Sequence, residues 1–197
     1  MGLSIHYKGY FKEAGLLPDF IREVKDVAEI HGWEYQIFGA VFPEERFSEE
    51  MVFDKFYGIH FTPTNSETIS LVFLSNGRMI CPVRVKFSDR VQLEQKDSWI
   101  YTNSVKTQYA GVVVHQLIIH FFRYLNNKYF RDFEMKDESY YWETNDEEKL
   151  KIQFKIYDSL MDNFVLAIET LPLQKDEGIS SYFERLMKYV NDLKNSK

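Results

Sequence analysis

SVKTQYAGVVVHQLIIHFFRYLNNKYFRDFEM (104–135) is the stretch whose reading sets the fold class. Val113, Val114, Leu117, Ile118, Phe121, Phe122, Tyr124 and Leu125 fall in one wide arc at about 100° per residue, which predicts a helix over 112–127. His115, Gln116, His120, Arg123, Asn126 and Asn127 fall on the opposite side. KYFRDFEM (128–135) reads as a strand leaving the helix, and SVKTQ (104–108) as a strand entering it. A strand–helix–strand unit therefore lies at the centre of the chain.

The same logic extends upstream. LSIHY (3–7) alternates apolar and polar residues, the period of a half-buried strand. Leu17, Phe20, Ile21, Val24, Val27 and Ala28 follow helical spacing, with Pro18 in the first turn and Gly32 as a stop. WEYQIF (33–38) reads as a strand, so the chain opens on a β-α-β unit. Tyr7-Lys8-Gly9 and Tyr109-Ala110-Gly111 each precede a helix and an aromatic strand, a pattern that suggests duplicated β-α-β units. Residues 40–56 keep neither period and are expected to carry a short helix or an ordered loop, with a functional flap as the alternative. YGIHF (57–61), ISLVFL (69–74) and RMICPVRVKF (78–87) read as strands, and Asn76-Gly77 as a type I′ hairpin turn. Pro82 puts the third strand at an edge or interrupts it. SWIYT (98–102) adds further strand.

Downstream, Asn145 with Glu148 resembles a capping box ahead of Leu150, Phe154, Tyr157, Met161, Phe164 and Ile168. Ser181 with Glu184 forms another ahead of Leu186, Met187, Val190 and Leu193. LPLQKDEG (171–178) is a linker between the two helices. The expectation is an α+β fold: an antiparallel-rich sheet with helices packed on one face, a single domain over 1–170, and a linker and C-terminal helix over 171–197 that packs on the domain or on a partner.

Bulk properties narrow the function classes. The 24 basic and 30 acidic residues of the 197 give a net charge of -6, so binding driven by phosphate neutralisation is disfavoured and no nucleic acid is expected. A lone cysteine, Cys81, fits a reducing compartment and reads as core filler. Neither a signal peptide nor an apolar run long enough for a membrane span is visible, so a cytoplasmic protein is expected. The P-loop, dinucleotide-fold, zinc-peptidase, nucleophile-elbow and EF-hand patterns are all missing, and no cofactor is implied. His115 and His120 stand five apart on the helix, about 140° around it, which suits no shared metal.

Candidate sites remain. Lys106, Thr107, Gln108 and Gly111 lead into the helix whose first turn carries His115, and a helix N-terminus with a cation and neutral donors would make an anion or small-molecule pocket, with His6 as a further contributor. The plainer reading is a capped helix with a boundary histidine. His6 and His60, if they share a sheet face, could pair with Glu143 or Asp137, and His6, His60 or His115 would then serve hydrolase or transferase chemistry. The acids between 132 and 148 read as a solvated face. Aromatics make up 17% of the chain, and those outside periodic patterns cluster among acids. Phe47, Phe53, Tyr140, Tyr141 and Trp142 are accordingly candidates for an interaction surface.

LSIHYKG (3–9), VKTQYAG-VVVH (105–115), RYLNNKYF (123–130) and DESYYWET (137–144) together resemble an uncharacterised family of bacterial proteins from Bacteroides-like organisms. The resemblance implies a bacterial cytoplasmic setting and carries no activity or catalytic residue with it. The leading expectation is therefore a non-catalytic interaction module that takes a protein partner or a second copy of itself.

Overall fold

The computed structural model describes residues 2–43, 47–48, 53–89, 95 and 99–195. Of the segment read as a short helix or flap, 40–56, residues 44–46 and 49–52 lie outside them. The fold is α+β, but the single expected sheet is two three-stranded antiparallel sheets. In one, β1 (Ser4–Phe11) runs between β5 (Asn103–Lys106) and β6 (Phe130–Asp137). In the other, β3 (Tyr57–Thr62) runs between β2 (Glu34–Ile37) and β4 (Ile69–Phe73).

Helix α1 (Leu17–Ile30) buries Leu17, Phe20, Ile21, Val24 and Ala28 and ends before Gly32, whose φ of 66° reverses the chain. It leads from β1 to β2, which do not pair, so the opening β-α-β unit spans both sheets. The central unit behaves differently. β5 and β6 both run antiparallel to β1, hence parallel to each other, and α3 (Gly111–Tyr129) crosses between them. The two units are not copies of one arrangement.

The buried stripe of α3 is His115, Ile118, Ile119, Phe122, Leu125 and Tyr129. This is the predicted helix turned about its axis. Val113, about 200° away from His115, is left 76% exposed. The expected strand over 78–87 is two isolated bridges, Arg78 to Tyr10 and Met79 to Phe73, followed by α2 (Pro82–Lys86). Pro82 cannot donate to a ladder and its fixed φ suits the first turn of a helix. Only Gly77 of the Asn-Gly pair has positive φ, at 78°. Gly77 N–H donates to Leu74 O and Leu74 N–H to Arg78 O, which makes a three-residue loop and not the expected two-residue turn. A 3₁₀ turn at Trp99–Tyr101 replaces the SWIYT strand.

The sheets meet through aromatic side chains. Phe11 lies against Phe20, Phe42, Phe73, Tyr129 and Phe130, with ring centroids 5.0 to 6.4 Å away. The Tyr7 hydroxyl, fully buried, donates to Ser70 O at 3.0 Å and accepts from Ser70 N–H at 2.9 Å. It thus fastens β1 to β4, and burial pushes its ionisation well above the usual phenol range. Tyr7→Phe leaves both Ser70 groups without this partner and is expected to cost about 1–3 kcal/mol in urea unfolding. A change under 0.5 kcal/mol would show that the two sheets do not depend on this bond.

Three helices follow β6: α4 (Tyr141–Thr144), α5 (Glu147–Thr170) and α6 (Ile179–Asn195). Asp146, not Asn145, caps α5, its side chain accepting from Lys149 N–H at 2.9 Å. Asn145 is instead the left-handed residue that ends α4, with a φ of 54°. Helix α6 starts at Ile179, so Ser181 lies inside it. The first half of α5 joins the main core through Leu150 and Phe154. Its second half pairs with α6 around a separate small core of Ala167, Leu186 and Val190. Arg185 reaches back to Glu177 and to Pro172 O in the linker. Among the described residues no helix is long and apolar enough to cross a membrane.

Candidate functional site

The segments 3–9, 105–115 and 137–144 converge on one corner, where β1, β5, α3, β6 and α4 meet. At its centre is His115, with no solvent-exposed surface. Its Nδ1 faces Thr107 Oγ1 at 2.7 Å; its Nε2 faces Ser139 Oγ at 3.0 Å and Asp137 Oδ2 at 3.3 Å. Ser139 Oγ donates to Asp137 Oδ2 at 2.7 Å, so its single proton is committed there and Nε2 must be the donor to both. Asp137 also accepts from the backbone N–H groups of Ser139, Tyr141 and Trp142, at 2.9, 3.0 and 3.1 Å. Burial would raise the Asp137 carboxyl, but the hydrogen bonds and charge of His115 and the two bonds from Ser139 outweigh it and hold the group below the usual aspartate range.

The residue types are those of a nucleophilic triad; the geometry is not. Ser139 and Asp137 share one imidazole nitrogen, so the serine proton goes to the carboxylate and the hydroxyl is not activated by the ring. The cluster is closed to solvent. What it does is hold the turn between β6 and α4 against the N-terminal part of α3.

The predicted anion pocket is split between the interior and the surface. Thr107, Gln108 and His115 point inward, whereas Lys106 is exposed and pairs through its backbone with Glu67. Gly111 has a φ of 82° and open space beside it. His6 lies on the outer face of β1, its Nδ1 2.8 Å from Ser104 Oγ and its Nε2 3.5 Å from Glu138 Oε1. These three stand in hydroxyl–imidazole–carboxylate order. The last distance is too long for a good hydrogen bond, and the group sits on an open sheet face where water screens any developing charge. His60 is in the other sheet, edge-on to Phe38, so the two histidines do not share a face. His120 bonds Tyr141 Oη at 3.2 Å, apart from His115.

Of the predicted aromatic surface one residue is buried, three are partly buried and one is exposed. Tyr141 is buried, Trp142 packs against Phe133, Phe47 against Phe42, and Phe53 against the smaller cluster around Val72 and Ile100. Tyr140 alone is half-exposed, with Lys149 over its ring. Exposed apolar side chains gather elsewhere, on the α5–α6 hairpin: Ile152, Ile156, Val165, Leu166, Ile168, Phe183 and Met187. A groove of about 610 Å³ opens there between the helices and Tyr109, lined by Tyr157, Leu160, Met161, Phe164, Phe183, Met187 and Val190. The sequence held a signal for it. Besides the stripe that packs inward, α5 carries Ile152, Ile156, Leu160, Val165 and Leu166, and a helix apolar on nearly every side is buried or partnered.

Compared with known proteins, the chain matches no family model, no curated protein and no solved structure.

Proposed function

We propose that this chain is a protein-interaction module whose docking element is the α5–α6 hairpin, and that the groove receives an amphipathic helix with basic flanks. The apolar lining of the groove carries this reading, with Phe183 and Met187 half-exposed at its edge: open apolar surface on a folded domain marks an interaction site. Phe183 and Met187 offer an aromatic ring and a pliable thioether, the side chains that anchor helix-in-groove recognition. The charge of the surroundings favours basic partners. Between residues 157 and 192 stand Asp158, Asp162, Glu169, Asp176, Glu177, Glu184 and Asp192 against Lys175, Arg185 and Lys188.

The test is a titration of helical peptides against the intact protein. A basic amphipathic helix is expected to bind, its acidic counterpart to bind at least tenfold more weakly. Phe183→Glu with Met187→Glu is expected to abolish binding while the circular dichroism spectrum is unchanged. Equal affinity for both peptides, or binding that survives the double substitution, would refute the groove as the docking site.

A further inference from the structure

A second face of α5 is unpartnered, and it has the period of a coiled coil. Ile152, Ile156, Ser159, Asn163, Leu166 and Thr170 recur at alternating spacings of four and three, the a/d pattern of a heptad seam. Ile152, Ile156 and Leu166 are 56%, 43% and 43% exposed, and a shallow depression of about 410 Å³ runs over the first part of the stripe. Lys155, Asp162 and Glu169 flank the seam at heptad spacing, and none of them makes an ion pair within the described residues. The basic residue comes first along the helix and the acids follow.

That order selects both occupant and orientation. We propose that the stripe is a self-association surface on which α5 pairs antiparallel with α5 of a second copy of this chain. With the two-fold axis between Leu160 and Asp162, Ile156 packs against the partner's Leu166, Ile152 faces the partner's Thr170, and Ser159 faces the partner's Asn163, so the two polar side chains at the centre of the seam meet a group able to hydrogen-bond them. Lys155 then lies beside the partner's Glu169, twice by symmetry. A parallel pair would stack Asn163 on its own copy and set Lys155 beside Leu160, leaving its charge unmatched. One like-charge contact remains in the antiparallel pair, Asp162 against its symmetry mate. The seam uses a face of α5 other than the groove, so it stands or falls separately from the peptide-binding reading above.

Sedimentation equilibrium of the full chain over micromolar to sub-millimolar concentrations tests it. A reversible dimer is expected, and Ile156→Glu is expected to make the chain monomeric without changing its circular dichroism spectrum. Lys155→Glu should weaken the dimer about tenfold, since two pairs are inverted at once. Adding Glu169→Lys should restore it, and Asp162→Asn should tighten it. A monomer at every concentration, a dimer that survives Ile156→Glu, or a charge swap no tighter than Lys155→Glu alone would overturn the proposal. Peptide binding in the groove is expected to persist in the Ile156→Glu monomer.

Discussion

Asp137→Ala is expected to destabilise the chain by about 3–5 kcal/mol, the range for removing one member of a buried hydrogen-bonded pair. The alanine leaves the Nε2–H of His115 with only the Ser139 hydroxyl, and strips the backbone N–H groups of Ser139, Tyr141 and Trp142 of their acceptor. Acid should act through the same carboxylate. Because its folded value lies below its unfolded one, the stability it supplies is fully present above about pH 4 and is lost as the pH falls through the folded value. Urea unfolding of the wild type and of Asp137→Asn from pH 7 downwards checks the sign. The wild type should lose more stability on acidification than the variant, which has no carboxylate to protonate. Equal losses would assign the acid sensitivity to other groups.

Phe11→Ala should cost about 3–5 kcal/mol for a different reason: it empties the place where both sheets and two helices touch. The ring has no solvent-exposed surface and meets Phe20 of α1, Phe73 of β4, Tyr129 of α3 and Phe130 of β6, together with Phe42. Relaxation cannot close the cavity without moving elements that are fixed by other contacts. Phe11→Leu keeps most of the volume and should cost under about 1.5 kcal/mol. Phe183→Ala, at a half-exposed ring of the groove, should fall within about 0.5 kcal/mol. If Phe11→Ala cost no more than Phe183→Ala, the aromatic cluster would not be the joint between the sheets.

The elements were legible where periodicity is local. The helix over 17–30, the strands around Tyr7, Tyr35, Ile59 and Leu71, and the central helix all follow from spacing alone. What spacing does not carry is pairing. WEYQIF reads equally well as a neighbour of β1 or as the edge of a second sheet, and only the packing of α1 and the sequestered ring of Phe11 decide between them. Spacing puts His115 on the polar side of the helix, because hydropathy treats imidazole as water-facing. Three partners, just after β5, at the end of β6 and in the turn beyond it, 8, 22 and 24 residues away in sequence, draw it inside. The aromatic surplus near Tyr140 was informative in position and misleading in exposure. Asp137 ties the turn down, so Tyr141 and Trp142 are folded inward and Tyr140 alone remains half-exposed.

The hairpin teaches the complementary lesson. Each of its helices shows one apolar stripe that packs and a remainder that does not, and the remainder is the more telling part. A helix with two apolar faces has two neighbours to find. One face of α5 reaches the core and α6; the groove and the heptad seam are what is left over.

The central claim, that the hairpin and not the histidine corner is the docking element, is tested most directly by site-directed photocrosslinking in the cell of origin. A benzophenone side chain is placed at Phe183 in one variant and at His6 in another. Crosslinks from position 183 are expected to map onto an amphipathic, basic helical segment of one partner and to vanish when Met187→Glu is added, with position 6 capturing nothing specific. The same partner captured from position 6 and not from position 183 would contradict the account.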